Sequence, residues 1–190
     1  MEGVLHTILA GSNVGILLLA TVAFFARFLM GASRSETAVR LDQLAFGAAV
    51  VGFFLAIPTI LTGLLGTWPL AAIGTTLLAQ NKILAATALL AAFGMFSFLR
   101  WREGGRIWEV PRLRILAAVL VLTGFINLVL VGSMGGSASL KGTMLDPLFL
   151  ALGINKFVSL TWGIWVNVAL IVLTVIFVAY SMAAPRGQRR

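Results

Sequence analysis

Long apolar runs alternate with short, arginine-bearing segments along this chain. Five runs stay apolar through whole helical turns: Val4–Met30, Gln43–Thr67, Ile83–Leu99, Ile115–Val131 and Phe157–Met182. About 20 apolar residues, rising ~1.5 Å each, cross a hydrocarbon core of about 30 Å. A helix on a soluble surface would show a polar stripe at helical period; these runs show none, as contact with lipid on one side and protein on the other requires. Backbone polar groups find no water inside lipid, so the spans must close their hydrogen bonds internally, as helices. The pattern predicts an all-α integral membrane protein of the cell (plasma) membrane, a bundle of five transmembrane helices forming one membrane domain over 1–190. The third and fourth runs are nearest the lower limit for a span, and the third has room to begin upstream, within AAIGTTLLAQNK.

Charge adds direction to the pattern. If the runs cross alternately, Arg27, Arg34, Arg40, Arg100, Arg102, Arg106, Arg112, Arg114, Arg186, Arg189 and Arg190 fall on one side, against Lys82, Lys141 and Lys156 on the other. Basic residues favour the cytoplasmic side, which places the N-terminus outside and the C-terminus in the cytoplasm. Adding or removing one span would put an arginine-rich loop on the wrong side. The first run opens as MEGVLH, without a basic leader, and is read as a retained helix. Trp68, Trp162 and Trp165 are expected at the outer interface, and Trp101 and Trp108 at the inner one.

Composition narrows the function classes. Hydrophobic residues make up 60% of the chain and charged ones 11%, with a mean hydropathy of +1.04, outside the range of soluble domains. The net charge of +8 would suit nucleic acid if it formed a stripe on a folded surface. Here the arginines flank apolar runs instead, so no nucleic-acid partner is expected. The absence of cysteine removes disulfides, thiolate metal sites, thiol nucleophiles and cysteine-ligated iron–sulfur clusters. Acidic and basic residues are also absent from the middle of every expected span, which speaks against a proton relay, an ion-coupled transporter or a voltage sensor. No catalytic set is recognisable, and the chain reads as a non-enzyme.

Several residues within the spans bear on packing. Pro58, in AIPTILTG, predicts a kink and a freed carbonyl one turn earlier, for a neighbouring helix, Thr59 or Thr62 to satisfy. Gly11 with Gly15, and Ala48 with Gly52, form small-xxx-small pairs that let two backbones approach, most simply within the chain. Asn127 and Asn167 are expected to bond between helices, worth about 0.6–2 kcal/mol each.

The glycine-rich VGSMGGSASLKGTMLDP, between the fourth and fifth runs, superficially resembles a phosphate-binding loop. Its order is wrong: Lys141 precedes Gly142 and Thr143, and no strand or α/β unit frames it, so no nucleotide is expected. Gly132, Gly135 and Gly136 would let the chain turn as it leaves the fourth helix. Downstream, DPLFLALGINK is too short to cross. Asp146 is placed to cap it before Pro147 and Gly153 lies near its end, which suggests a short interfacial or re-entrant helix in an outer loop, 132–156.

His6 is the only histidine. A haem would need His6 with a methionine, another residue, a partner's ligand or an open position. The expected topology brings His6 to the same outer layer as Met134, Met144 and Asp146, and Asn13 lies on nearly the same helix face. No cluster of metal ligands is apparent beyond it.

The segments LTGLLGT, QNKILAATALLAAFGMFSFLRW and ILAAVLVLTGFINLVLVGSMGG resemble a prokaryotic family of four-helix membrane proteins with a Thr-Gly step after the second helix and a Gly-Gly step after the last. The resemblance implies haem through histidines near the starts of the first and third helices. His6 matches the first, but Gln80, Asn81 and Lys82 occupy the neighbourhood of the second, which counts against a bis-histidine haem. The run from Phe157 is an addition to that pattern and suits docking on another membrane subunit. Together these features lead to an expected role as a non-catalytic accessory subunit of a prokaryotic membrane complex, respiratory or redox-linked. The alternative is a cytochrome b-like haem or quinone-associated electron-transfer subunit using His6. Haem b, a quinone or a structural lipid are the candidate bound groups, with membrane lipids and other membrane subunits as partners.

Overall fold

The computed structural model describes residues 2–66, 75–138 and 146–153, with isolated positions 169, 172, 175, 176 and 179. In chain order the helices are α1 (Glu2–Leu29), α2 (Glu36–Gly66), α3 (Leu77–Glu103), α4 (Arg106–Glu109), α5 (Pro111–Ala138) and α6 (Asp146–Ala151). No strand occurs among the described residues. Segments Val4–Leu29, Glu36–Leu65, Leu77–Glu103 and Pro111–Gly135 are long and apolar enough to cross a membrane, which makes this a multi-pass α-helical membrane protein. The fifth expected span, Phe157–Met182, lies outside the described residues except at those isolated positions, as do Asn167, Trp68, Trp162, Trp165 and Met144.

Three helices are longer than hydropathy predicts, each for a physical reason. α2 starts at Glu36 rather than Gln43: Ser35 Oγ accepts the Ala38 N–H at 3.3 Å, an N-cap, and Glu36 sits in the first turn, where the helix dipole favours an anion. α3 starts at Leu77 rather than Ile83, which places Asn81 and Lys82 inside a helix. α5 is the clearest correction. It opens on Pro111, continues past Val131 and runs through Gly132, Gly135 and Gly136 to Ala138, so these glycines make no turn. Each glycine costs a helix interior about 1 kcal/mol relative to alanine. Tight packing outweighs that cost here: Ser133 and Met134 are fully buried, and a Cβ on Gly135 would lie 3.4 Å from Lys82 Nζ.

α2 is continuous through Pro58. The Thr59 and Thr62 hydroxyls donate to the carbonyls of Leu55 at 2.7 Å and Pro58 at 2.8 Å, flanking the Phe54 carbonyl that the proline leaves without its usual donor. The short helix expected in the outer loop is α6, ended by Gly153 at φ +65°, whose N–H donates to the Leu150 carbonyl at 3.2 Å. That left-handed conformation favours glycine.

α1 packs on α2 and α3 packs on α5; contacts of α2 with α3 and of α1 with α5 close a ring of four. Glycines set the register by receiving a large side chain from the neighbouring helix. Gly52 receives Leu17, Gly94 receives Phe53, and Gly124 receives Phe93, each so closely that a Cβ would collide. Between helices in lipid, close packing replaces the hydrophobic drive that acts in water. At the centre, Phe24 meets Phe96 edge-on at 5.3 Å and lies 5.3 Å from the buried Trp108. Leu18, Val22, Phe54 and Ile126 face outward, as lipid contact requires.

Of the two small-residue pairs, Ala48 and Gly52 lie in the interior. Gly11 and Gly15 are exposed, with no described atom within 4 Å of where a Cβ would be, so they join no two described helices. The ring has two unlike ends. One carries the turns rich in arginine; the other carries His6 and Lys82.

Candidate functional site

At the Lys82 end, four helices line a small, largely apolar groove of about 70 Å³. α1 contributes His6; α2 contributes Thr59, Ile60, Gly63 and Leu64, in the turns after Pro58; α3 contributes Ala79, Lys82, Ile83 and Ala86; α5 contributes Val131. Ligand pockets typically combine apolar walls with a few polar groups. Here those groups are an imidazole, a hydroxyl and an ammonium.

Local structure positions the His6 ring. Its ring seats against Gly63, where a Cβ would lie 2.9 Å from Cε1 and force the ring to shift. Nδ1 lies 3.3 Å from Thr62 Oγ1. That hydroxyl donates its single hydrogen to the Pro58 and Thr59 carbonyls, at 2.8 and 3.1 Å. With that hydrogen on a carbonyl, Thr62 can accept from the imidazole, the pairing in which Nδ1 carries the proton. In neutral His6, Nε2 is left as an acceptor, the tautomer that a metal-binding histidine also uses.

Lys82 is half-buried one turn inside α3, and Nζ reaches toward Gly135 on α5. Hydropathy alone puts it outside the span. Among the described residues no carboxylate or hydrogen-bond acceptor pairs with it. The described ion pairs, Arg34–Glu109, Arg40–Glu36, Arg100–Asp42 and Glu103 with Arg102 and Arg106, all lie at the opposite end.

That opposite end holds a polar cluster that no sequence motif announces. Asp42 of α2 accepts from Arg100 Nε of α3 at 2.9 Å and from Trp108 Nε1 of α4 at 2.9 Å. Arg27 of α1 covers the Trp108 ring, its guanidinium 4.4 Å from the centroid, and donates to the Gly31 and Ser33 carbonyls at 2.7 and 3.0 Å. Trp108, expected at the interface, is 3% exposed, whereas Trp101 is 73% exposed. Every side chain in this cluster that links helices is engaged by another, which suits a structural clasp better than a binding site.

The remaining candidates fall apart in space. Asn127 donates to the Thr123 carbonyl of its own helix at 2.8 Å, an intrahelical bond in place of the expected interhelical one. A side-chain amide can fold back onto the carbonyl one turn before it, and this one does. Asn13 is buried with Oδ1 unpartnered among the described residues, as is the Oγ of Ser133. Asp146 starts α6. No group of three or more histidine, aspartate or glutamate side chains suited to a metal occurs among the described residues.

Compared with family models, curated proteins and solved structures, this chain matches none.

Proposed function

We propose that this protein is a non-catalytic binding subunit of the plasma membrane, which holds an amphiphilic molecule, a lipid or a quinone, in the groove at its Lys82 end and serves a larger respiratory or redox-linked complex. The observation that carries the reading is the groove itself. It is apolar enough for a hydrocarbon tail, and His6 and Lys82 stand on its wall where a headgroup would lie. The positive-inside bias supports an orientation with the arginine-rich end in the cytoplasm, which sets the groove in the outer half of the bilayer.

Mild extraction from native membranes, with mass spectrometry of both the co-migrating chains and the extracted small molecules, tests this directly. A defined partner set and a stoichiometric amphiphile are expected. A monodisperse single chain carrying neither sinks the proposal.

One observation favours a second reading. His6 sets Nδ1 3.3 Å from Thr62 Oγ1, the kind of contact that orients a ligating histidine. A cytochrome b-like subunit would show a Soret band in the purified chain that disappears in His6→Ala; a spectrum accounted for by partner subunits removes this alternative.

A further inference from the structure

We infer that the occupant of the groove is an anionic phospholipid whose headgroup also carries a hydroxyl, with its phosphate on Lys82 and its hydroxyl at His6. The inference rests on the binding reading above and narrows it to one ligand chemistry.

Lys82 supplies the first argument. An ammonium inside a span is costly unless paired, and intramembrane cations mark ligand sites or pair with a neighbouring group. Of the other side chains lining the groove, only His6 and Thr59 bear an acceptor atom, and no hydrogen bond joins either to Lys82. Nζ lies close to the Gly135 backbone, where the missing side chain gives it room. Four of the chain's six acidic residues, Glu36, Asp42, Glu103 and Glu109, pair with arginines at the far end. Five of the eight described arginines thus have a carboxylate partner, and Lys82 has none among the described residues, which leaves it open to an outside anion.

His6 supplies the second. In the tautomer that donates from Nδ1 to Thr62, Nε2 is an acceptor. A quinone presents carbonyl oxygens, which are acceptors too, and gains nothing from Nε2. A fatty acid satisfies Lys82 but, once ionised, has no hydrogen to give to His6. A phosphodiester with a hydroxylated headgroup, such as phosphatidylglycerol, satisfies both. The apolar side chains of Ile60, Leu64 and Ile83 give an acyl chain a surface to lie along, with its far end in the surrounding lipid.

The test is native mass spectrometry of the full-length protein in neutral detergent with phosphatidylglycerol, phosphatidylcholine, a fatty acid and a short-tailed quinone as competing probes. A photoactivatable phosphatidylglycerol maps the site in parallel. Phosphatidylglycerol should be preferred over phosphatidylcholine by about tenfold, the scale of one added charge contact. Lys82→Met should abolish the preference, Lys82→Arg should keep it, and His6→Phe should weaken it. Crosslinks should fall on the α2 turns from Thr59 to Leu64. Thermal melting of each variant confirms that it folds. Crosslinks confined to the arginine-rich end, or a preference unchanged in a folded Lys82→Met, would mean that Lys82 only reaches for the interface, and would overturn the inference. Preferential quinone or fatty-acid binding in the groove overturns it while leaving the binding reading intact, and no adduct with any probe ends both.

Discussion

Replacing Asp42 by alanine should be among the most damaging single changes available to this fold. The Asp42 side chain is 8% exposed and the Arg100 side chain 18% exposed, and the carboxylate binds two elements, α3 and α4, to α2. Asp42→Ala leaves a guanidinium without its counter-ion and the Trp108 N–H without an acceptor. Breaking a buried pair from one side costs about 3–5 kcal/mol, and a stranded neutral donor about 1–3 kcal/mol. The two losses share one carboxylate and do not add, and Arg100 keeps some access to water or headgroups. About 3 kcal/mol is therefore expected. Asp42→Asn retains an acceptor for the indole and should cost about 2 kcal/mol. Reversible unfolding in mixed micelles, followed by tryptophan fluorescence, measures these losses. A double-mutant cycle with Arg100→Met should return a coupling of about 1–3 kcal/mol. An Asp42→Ala protein within about 0.5 kcal/mol of wild type, or a cycle that closes additively, would refute the clasp.

Other substitutions probe packing and the groove. Gly124→Ala places a Cβ 2.6 Å from Phe93 and should destabilise by about 1–3 kcal/mol, whereas Gly15→Ala meets no described atom and should change stability by less than about 1 kcal/mol in the same assay. Trp108→Phe keeps an aromatic face for Arg27 but removes the N–H to Asp42; a loss of about 1 kcal/mol is expected, and Arg27→Met should cost less when combined with Trp108→Phe than in wild type. Thr62→Val removes the acceptor that holds Nδ1 of His6, so the ring should lose its tautomer preference by nitrogen-15 NMR while the helix content stays unchanged.

Much of the scaffold is legible because a membrane span is a statement about composition over a window. Apolar runs long enough to cross must be helices in lipid, and four of the expected five are described as such. The same reasoning misjudges the helix ends, where a charge or a glycine lowers the window average. The charge of Lys82 argues for trimming it from α3, and the glycines after Val131 argue for a turn because glycine is a poor helix former. Both belong to helices because packing against a neighbour decides the outcome: Gly135 makes room for Lys82, and Met134 is fully buried.

The sites are not legible for a related reason. His6 and Thr62 stand 56 residues apart, and Asp42 and Trp108 66 apart, so no local motif announces either meeting. Sequence alone determined that the chain enters a membrane as helices, and that its arginines cluster at alternate turns, since both depend on the solvent each segment prefers. Which glycines receive a side chain, which tryptophan is buried and which lysine shares a groove with the histidine were decided by the tertiary structure. Those outcomes depend on the rotation and register of one helix against another, and hydropathy carries no information about either.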